Sequence, residues 1–196
     1  LFFPELIFIV FALLVLGFIG IQSYRFGLKY RLWTEVTSYL LLGPFLTIGF
    51  QMSIGAHYDL ETILIGLITG WFAVFVLHLK NFTQIMINNQ AGFFNSITFL
   101  GFEKSKYLIS FWWLGLIFAL NIYHIFYSTL EWQVVFILIS LVLTFKVYQA
   151  VLRIKSPVNS DFKLMLTNLH RLAVILMSVW VIEFVIFIAV IEFDFV

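Results

Sequence analysis

Residues 62–101 read TILIGLITGWFAVFVLHLKNFTQIMINNQAGFFNSITFLG, an apolar run that ends at His78, Leu79 and Lys80 and passes into a segment dense in Asn, Gln and Gly with almost no charge. A bilayer core requires about 20 apolar residues of helix. The run therefore predicts a membrane span, and the polar segment predicts its mouth at one membrane surface. The rest of the chain belongs to the same class. Of its 196 residues, 63% are hydrophobic, 20% aromatic and 11% charged, with a mean hydropathy of +1.07. A soluble domain of this length does not have such a composition. The lack of cysteine excludes disulfides and thiolate metal sites. A formal net charge of +1 argues against a nucleic-acid partner.

Outward from this run, six windows meet the length and hydropathy of a span: about 3–22, 38–56, 62–79, 107–126, 132–151 and 172–191. Together they predict one all-α transmembrane domain over residues 1–196. The first window carries Glu5 and no basic flank, so it is expected as a retained span rather than a signal peptide. The cations alternate between connections. Arg25, Lys29 and Arg31 fall in 23–37, Lys80, Lys104 and Lys106 in 80–106, and Arg153, Lys155, Lys163 and Arg171 in 152–171. The intervening short connections carry Asp59, Glu61 and Glu131 instead. The positive-inside rule then predicts cytoplasmic polar segments and both chain ends outside. Lys146 stands inside the fifth window and is expected to snorkel. The stretch 162–171 alternates apolar and polar residues at helical spacing and is expected to lie on the membrane surface before the last span.

If the third helix continues past the hydrocarbon, Asn81, Gln84 and Asn88 share one face at i, i+3 and i+7. Two readings of that face stand: a solvated, capped helix end, or the polar edge of a pocket. His78 lies one turn earlier and is either a lining residue or an interfacial one. His57, His124 and His170 fall at helix ends without a metal-ligand spacing and are expected at the interface. Glu183 stands in mid-span, where a carboxylate is costly, and is expected to bond an Asn or Ser of another helix or to serve a function. Gly43-Pro44 predicts a kink.

The polar segment resembles the second signature of the UbiA superfamily of intramembrane prenyltransferases, closest to the menaquinone-pathway branch that prenylates 1,4-dihydroxy-2-naphthoate. That signature is similar to N-x-x-D-x-x-x-D-x-x-x-G, followed by a basic residue, Thr-Leu and Leu-Gly. Asn81, Gln84, Asn88, Gly92 and Leu100-Gly101 stand in that register without a gap. Upstream, YLLLGPFLTIG at 39–49 resembles the Gly-Pro helix of the same branch, and Gly66 and Gly70 suit a close-packed helix leading into the signature.

The resemblance implies the last six helices of a nine-helix bundle in a bacterial inner membrane, with another Asp-rich motif before residue 1. It implies transfer of a polyprenyl group from its diphosphate to an aromatic acceptor, with Mg²⁺ held by the signature carboxylates. Here Gln84 and Asn88 stand at those two positions and are the residues left to contact a metal, with oxygen ligands but no charge. Thr83, Phe93 and Phe99 stand where the branch carries cations. Lys80, Lys104 and Lys106 remain as headgroup or topology charges. The expectations are thus a UbiA-type prenyltransferase, or a non-catalytic member that binds an isoprenoid, quinone or other membrane lipid. A small transporter has less behind it, since Glu183 is the chief buried ionisable group.

Overall fold

The run at 62–79 folds as the middle of one long helix. The computed structural model describes residues 34–53, 59–92, 95–157 and 160–194, nearly all of them helical, with no strand among them. In chain order they form α1 (Thr34–Leu40), a π-type turn (Leu41–Phe45), α2 (Leu46–Ser53), α3 (Leu60–Thr83), a short α4 (Ile85–Gln90), α5 (Ser96–Tyr127), α6 (Leu130–Arg153) and α7 (Ser160–Asp194). Among the described residues four helical segments are long and apolar enough to cross a membrane: Leu60–Thr83, Ser96–Tyr127, Leu130–Arg153 and Asp161–Ile186. The chain is an all-α membrane protein.

The six expected windows meet these elements unevenly. The window 3–22 lies outside the described residues. The window 38–56 is not one straight span, because Gly43 leaves helical geometry (φ −109°, ψ −109°) before Pro44, which has no N–H to give the preceding turn. The Gly43 carbonyl accepts from the Leu46 N–H and, at 3.2 Å, from the Thr47 hydroxyl. The stretch 162–171 is not a separate surface helix. No Gly or Pro interrupts α7, which runs unbroken from Ser160, and Phe162, Leu166 and Leu169 are buried. Phe162 joins Phe82 and Phe102 in a three-ring cluster, with centroids 5.4 and 6.0 Å away.

Local chemistry sets the ends of α3 and α5. Asp59 caps α3, its carboxylate accepting from the Thr62 N–H at 2.9 Å and the Thr62 hydroxyl at 2.8 Å. Asn95 and Thr98 form a capping box at the start of α5. Five residues further, α5 breaks at Gly101 (φ +77°, ψ 172°), a conformation essentially reserved for glycine. The Ser105 hydroxyl donates to the Ile97 carbonyl at 3.3 Å across this break. A Cβ at Gly101 would meet no atom within 4 Å, so its cost is backbone strain alone. Gly101→Ala is expected to destabilise the protein by about 1–3 kcal/mol in thermal unfolding in detergent. An unchanged melting temperature would contradict the break.

Helix α3 is the hub. It packs on α5, on the kinked α1–α2 element and on α7, while α6 packs chiefly on α5. Apolar burial adds little between helices already bathed in lipid, so close approach and polar clamps hold such bundles together. Both occur here. A Cβ on Gly43 would fall 2.7 Å from the Gly70 Cα, and one on Gly66 would fall 2.9 Å from the Pro44 Cα, so the kinked element touches α3 backbone to backbone. Between α5 and α6, Trp113 Nε1 donates to Thr144 Oγ1 and Asn121 Nδ2 to Ser140 Oγ, each at 3.3 Å.

Candidate functional site

The polar segment sits at the end of the bundle where α3 stops and α5 begins, and its amides part company there. Helix α3 ends at Thr83, Gln84 occupies a turn (φ −98°, ψ 11°), and α4 restarts at Ile85. Asn81 and Asn88 are buried, while Gln84 is exposed. The face expected to carry all three therefore does not form, because the turn at Gln84 interrupts the helical register that would align them. Asn81 Nδ2 is buried without a hydrogen-bond partner. Gly92 follows α4 with φ +69° and is exposed. Lys80 and Lys104 are exposed. Lys106 is buried, pairs with Glu103 at 2.6 Å and lies over the Tyr107 ring at 5.3 Å, so its charge is already neutralised within the protein.

Mg²⁺ does not fit Gln84 and Asn88 as they stand. One side chain is exposed and the other buried, neither carries charge, and a hard cation prefers carboxylate oxygens. Among the described residues no three His, Asp or Glu side chains converge.

The buried chemistry centres on His78 instead. This side chain is fully enclosed on α3. Its Nε2 lies 3.0 Å from the Ser105 carbonyl on α5, and a carbonyl only accepts, so Nε2 carries a hydrogen. Its Nδ1 faces Glu35 Oε1 of α1 at 3.5 Å, a long hydrogen bond that is also within ion-pair distance. The Ser96 hydroxyl donates to the same Glu35 oxygen, while Oε2 has no hydrogen-bond partner. Burial pushes the Glu35 carboxyl up, but the hydrogen bonds from His78 and Ser96 with the charge of His78 together pull it further down, leaving it below the usual carboxylate range. One cluster thus ties α1, α3 and both sides of the Gly101 break together. Glu35, Ser96 and Ser105 are absent from the sequence-derived site. Glu35 did leave a signal, as the one carboxylate in the otherwise cationic stretch 23–37.

No family model, curated protein or solved structure matches this chain.

Glu183 lies far from these groups. It bonds His124 Nε2 at 3.0 Å, while His124 Nδ1 donates to the Leu120 carbonyl at 2.8 Å. Its partner is thus neither an Asn nor a Ser, and His124, in the last turn of α5, is buried. Ser105 and His124 stand 19 residues apart on α5, about 28 Å at 1.5 Å per residue. Beside Glu183 a cavity of about 510 Å³ opens between α5, α6 and α7. Its walls include Tyr123, Tyr127, Trp132, Trp180 and Phe184, with exposed Val179, Ile182 and Ile186 at the lipid side. Trp180 is buried, and its Nε1 has no hydrogen-bond acceptor.

Proposed function

We propose that this chain is a UbiA-type membrane protein that binds an isoprenoid or quinone-like lipid and does not itself transfer a prenyl group. The split amide motif carries the reading. A diphosphate leaving group needs a metal or cations to take up its developing charge, and Gln84 and Asn88 supply neither. The nearest buried carboxylate, Glu35, is engaged by His78 and Ser96. The aromatic-walled cavity of about 510 Å³ suits an apolar guest of lipid type. In this reading the end of the bundle bearing residues 84–92 faces the cytoplasm.

Organic extraction of protein purified in mild detergent is the test. An isoprenoid or quinone is expected at a fixed ratio to protein, retained in EDTA, with no consumption of a polyprenyl diphosphate in the presence of Mg²⁺. A metal-dependent prenyl-transfer rate that is lost in Gln84→Ala would overturn the reading.

The enzymatic alternative draws support from one packing detail. The Gly43-Pro44 element lies directly on Gly66 and Gly70, the two glycines that suit a close-packed helix leading into the resembling signature. That alternative predicts polyprenyl diphosphate consumption that EDTA abolishes.

A further inference from the structure

Lys146 is a cation on the most lipid-facing helix of the described bundle. Around it α6 exposes Leu138, Leu141, Val142, Phe145, Tyr148 and Leu152, which is how a helix covered by acyl chains presents itself. Lys146 has no ion-pair partner among the described residues. A lysine in such a setting requires either a route to water or a counter-ion.

The packing supplies a place for a counter-ion. Because α6 leans on α5 and α7 on α3, a groove of about 390 Å³ is left between α6 and α7. Lys146, Gln149 and Arg153 enter it from α6 at i, i+3 and i+7, which lie along one stripe of a helix with the two cations about 10 Å apart along the axis. Asn168 lines it from α7. The floor is apolar, formed by Ala150, Met165, Leu169 and Leu172, and no carboxylate lines the groove. It opens near the end of α6, where the chain leaves the span at Arg153, so its upper part stands at headgroup depth.

We propose that this groove is a binding site for the phosphodiester headgroup of an anionic glycerophospholipid. The Arg153 guanidinium presents paired donors to two phosphate oxygens, and Lys146 reaches the same group from below as a point charge. The Gln149 and Asn168 amides complete the donor set. The acyl chains continue onto the exposed Leu and Phe surface of α6. The groove also discriminates between lipids. A zwitterionic headgroup would bring an ammonium into a site that already holds two cations and no carboxylate, whereas a net anionic headgroup adds no further positive charge. Free phosphate would satisfy the cations but leave the apolar floor without a guest. This site is independent of the isoprenoid reading: it lies at the opposite end of α6 and α7 from the aromatic-walled cavity and shares no lining residue with it, and its ligand is recognised by charge.

Native mass spectrometry of the full chain, released from detergent containing equal phosphatidylglycerol and phosphatidylcholine, tests the site. Phosphatidylglycerol is expected to be retained about tenfold or more over phosphatidylcholine. K146Q/R153Q is expected to lose that preference, and the charge-preserving K146R/R153K to keep most of it. Ala150→Phe, which fills the groove and leaves both cations in place, is expected to abolish retention and provides an arm that does not remove charge. Equal retention of the two lipids overturns the proposal, as does undiminished phosphatidylglycerol binding in both K146Q/R153Q and Ala150→Phe. Displacement of the lipid by millimolar inorganic phosphate would assign the groove to a free anion and would overturn it equally.

Discussion

His78→Leu is expected to destabilise the protein by about 3–5 kcal/mol, the cost of leaving a buried charge without its partner. The side chain is fully enclosed, so no water replaces its two contacts. Removal deprives the Ser105 carbonyl of a donor and leaves Glu35, itself buried, with the Ser96 hydroxyl as its remaining side-chain donor. Glu35→Gln should cost less, about 1–3 kcal/mol, because an amide of the same shape brings no charge to satisfy. The double variant His78→Leu/Glu35→Leu should recover part of the single loss, since an apolar pair replaces an orphaned ion. Thermal unfolding in detergent reads all three.

The pH dependence has a definite sign. A carboxyl held below its ordinary value of 4.5 contributes its stability in full above that value and loses it as pH falls through the lower folded one. Melting temperature should therefore fall on acidification below about 4.5 in the parent and more shallowly in Glu35→Gln. A His78→Leu protein as stable as the parent would remove the network from any structural role.

What the linear sequence carried, and what it did not, follows from the range of each interaction. The apolar runs of α3, α5 and α6 are local, and four spanning helices fall where hydropathy puts them. The Gly43-Pro44 kink is equally local. Spacing placed His78 beside Asn81, but it could not connect His78 to Glu35, 43 residues earlier, or Glu35 to Ser96, 61 residues later. Those links depend on how the kinked element lies across α3. The amide face failed for a different reason. Three polar side chains at helical intervals share a face only if the helix continues, and one non-helical residue at Gln84 separates them. Glu183 was legible as a costly carboxylate, yet its partner His124 sits on a helix whose rotation no spacing within α7 reports.

Gly66→Ala is the second large effect expected, and it acts through the same element that carries Glu35. The new Cβ would press on Thr47 Oγ1, which can rotate away, and stand 2.9 Å from the Pro44 Cα, which is backbone and closer than real Cβ atoms approach. No rotamer change relieves the Pro44 contact, so the kinked α1–α2 element must move off α3 at a cost of about 2–3 kcal/mol, the upper part of the range for overpacking. Gly115→Ala makes a useful contrast. Its Cβ would also come closer than real Cβ atoms approach to the Trp71 ring, which packs on Tyr39, Phe111 and Trp112, but the obstacle is a side chain, whose displacement does not require two helix backbones to part, so a smaller loss is expected.

The informative measurement is the combination of Gly66→Ala with Glu35→Gln. If close glycine contact is what seats α1 on α3, displacing that element already weakens the approach of Glu35 to His78, and the second substitution then has less to remove. The combined destabilisation is expected to fall short of the sum of the two by about 0.5–1 kcal/mol. Strict additivity would mean that the glycine crossing and the His78 network hold the element independently, and a Gly66→Ala protein with parental stability would refute the crossing itself.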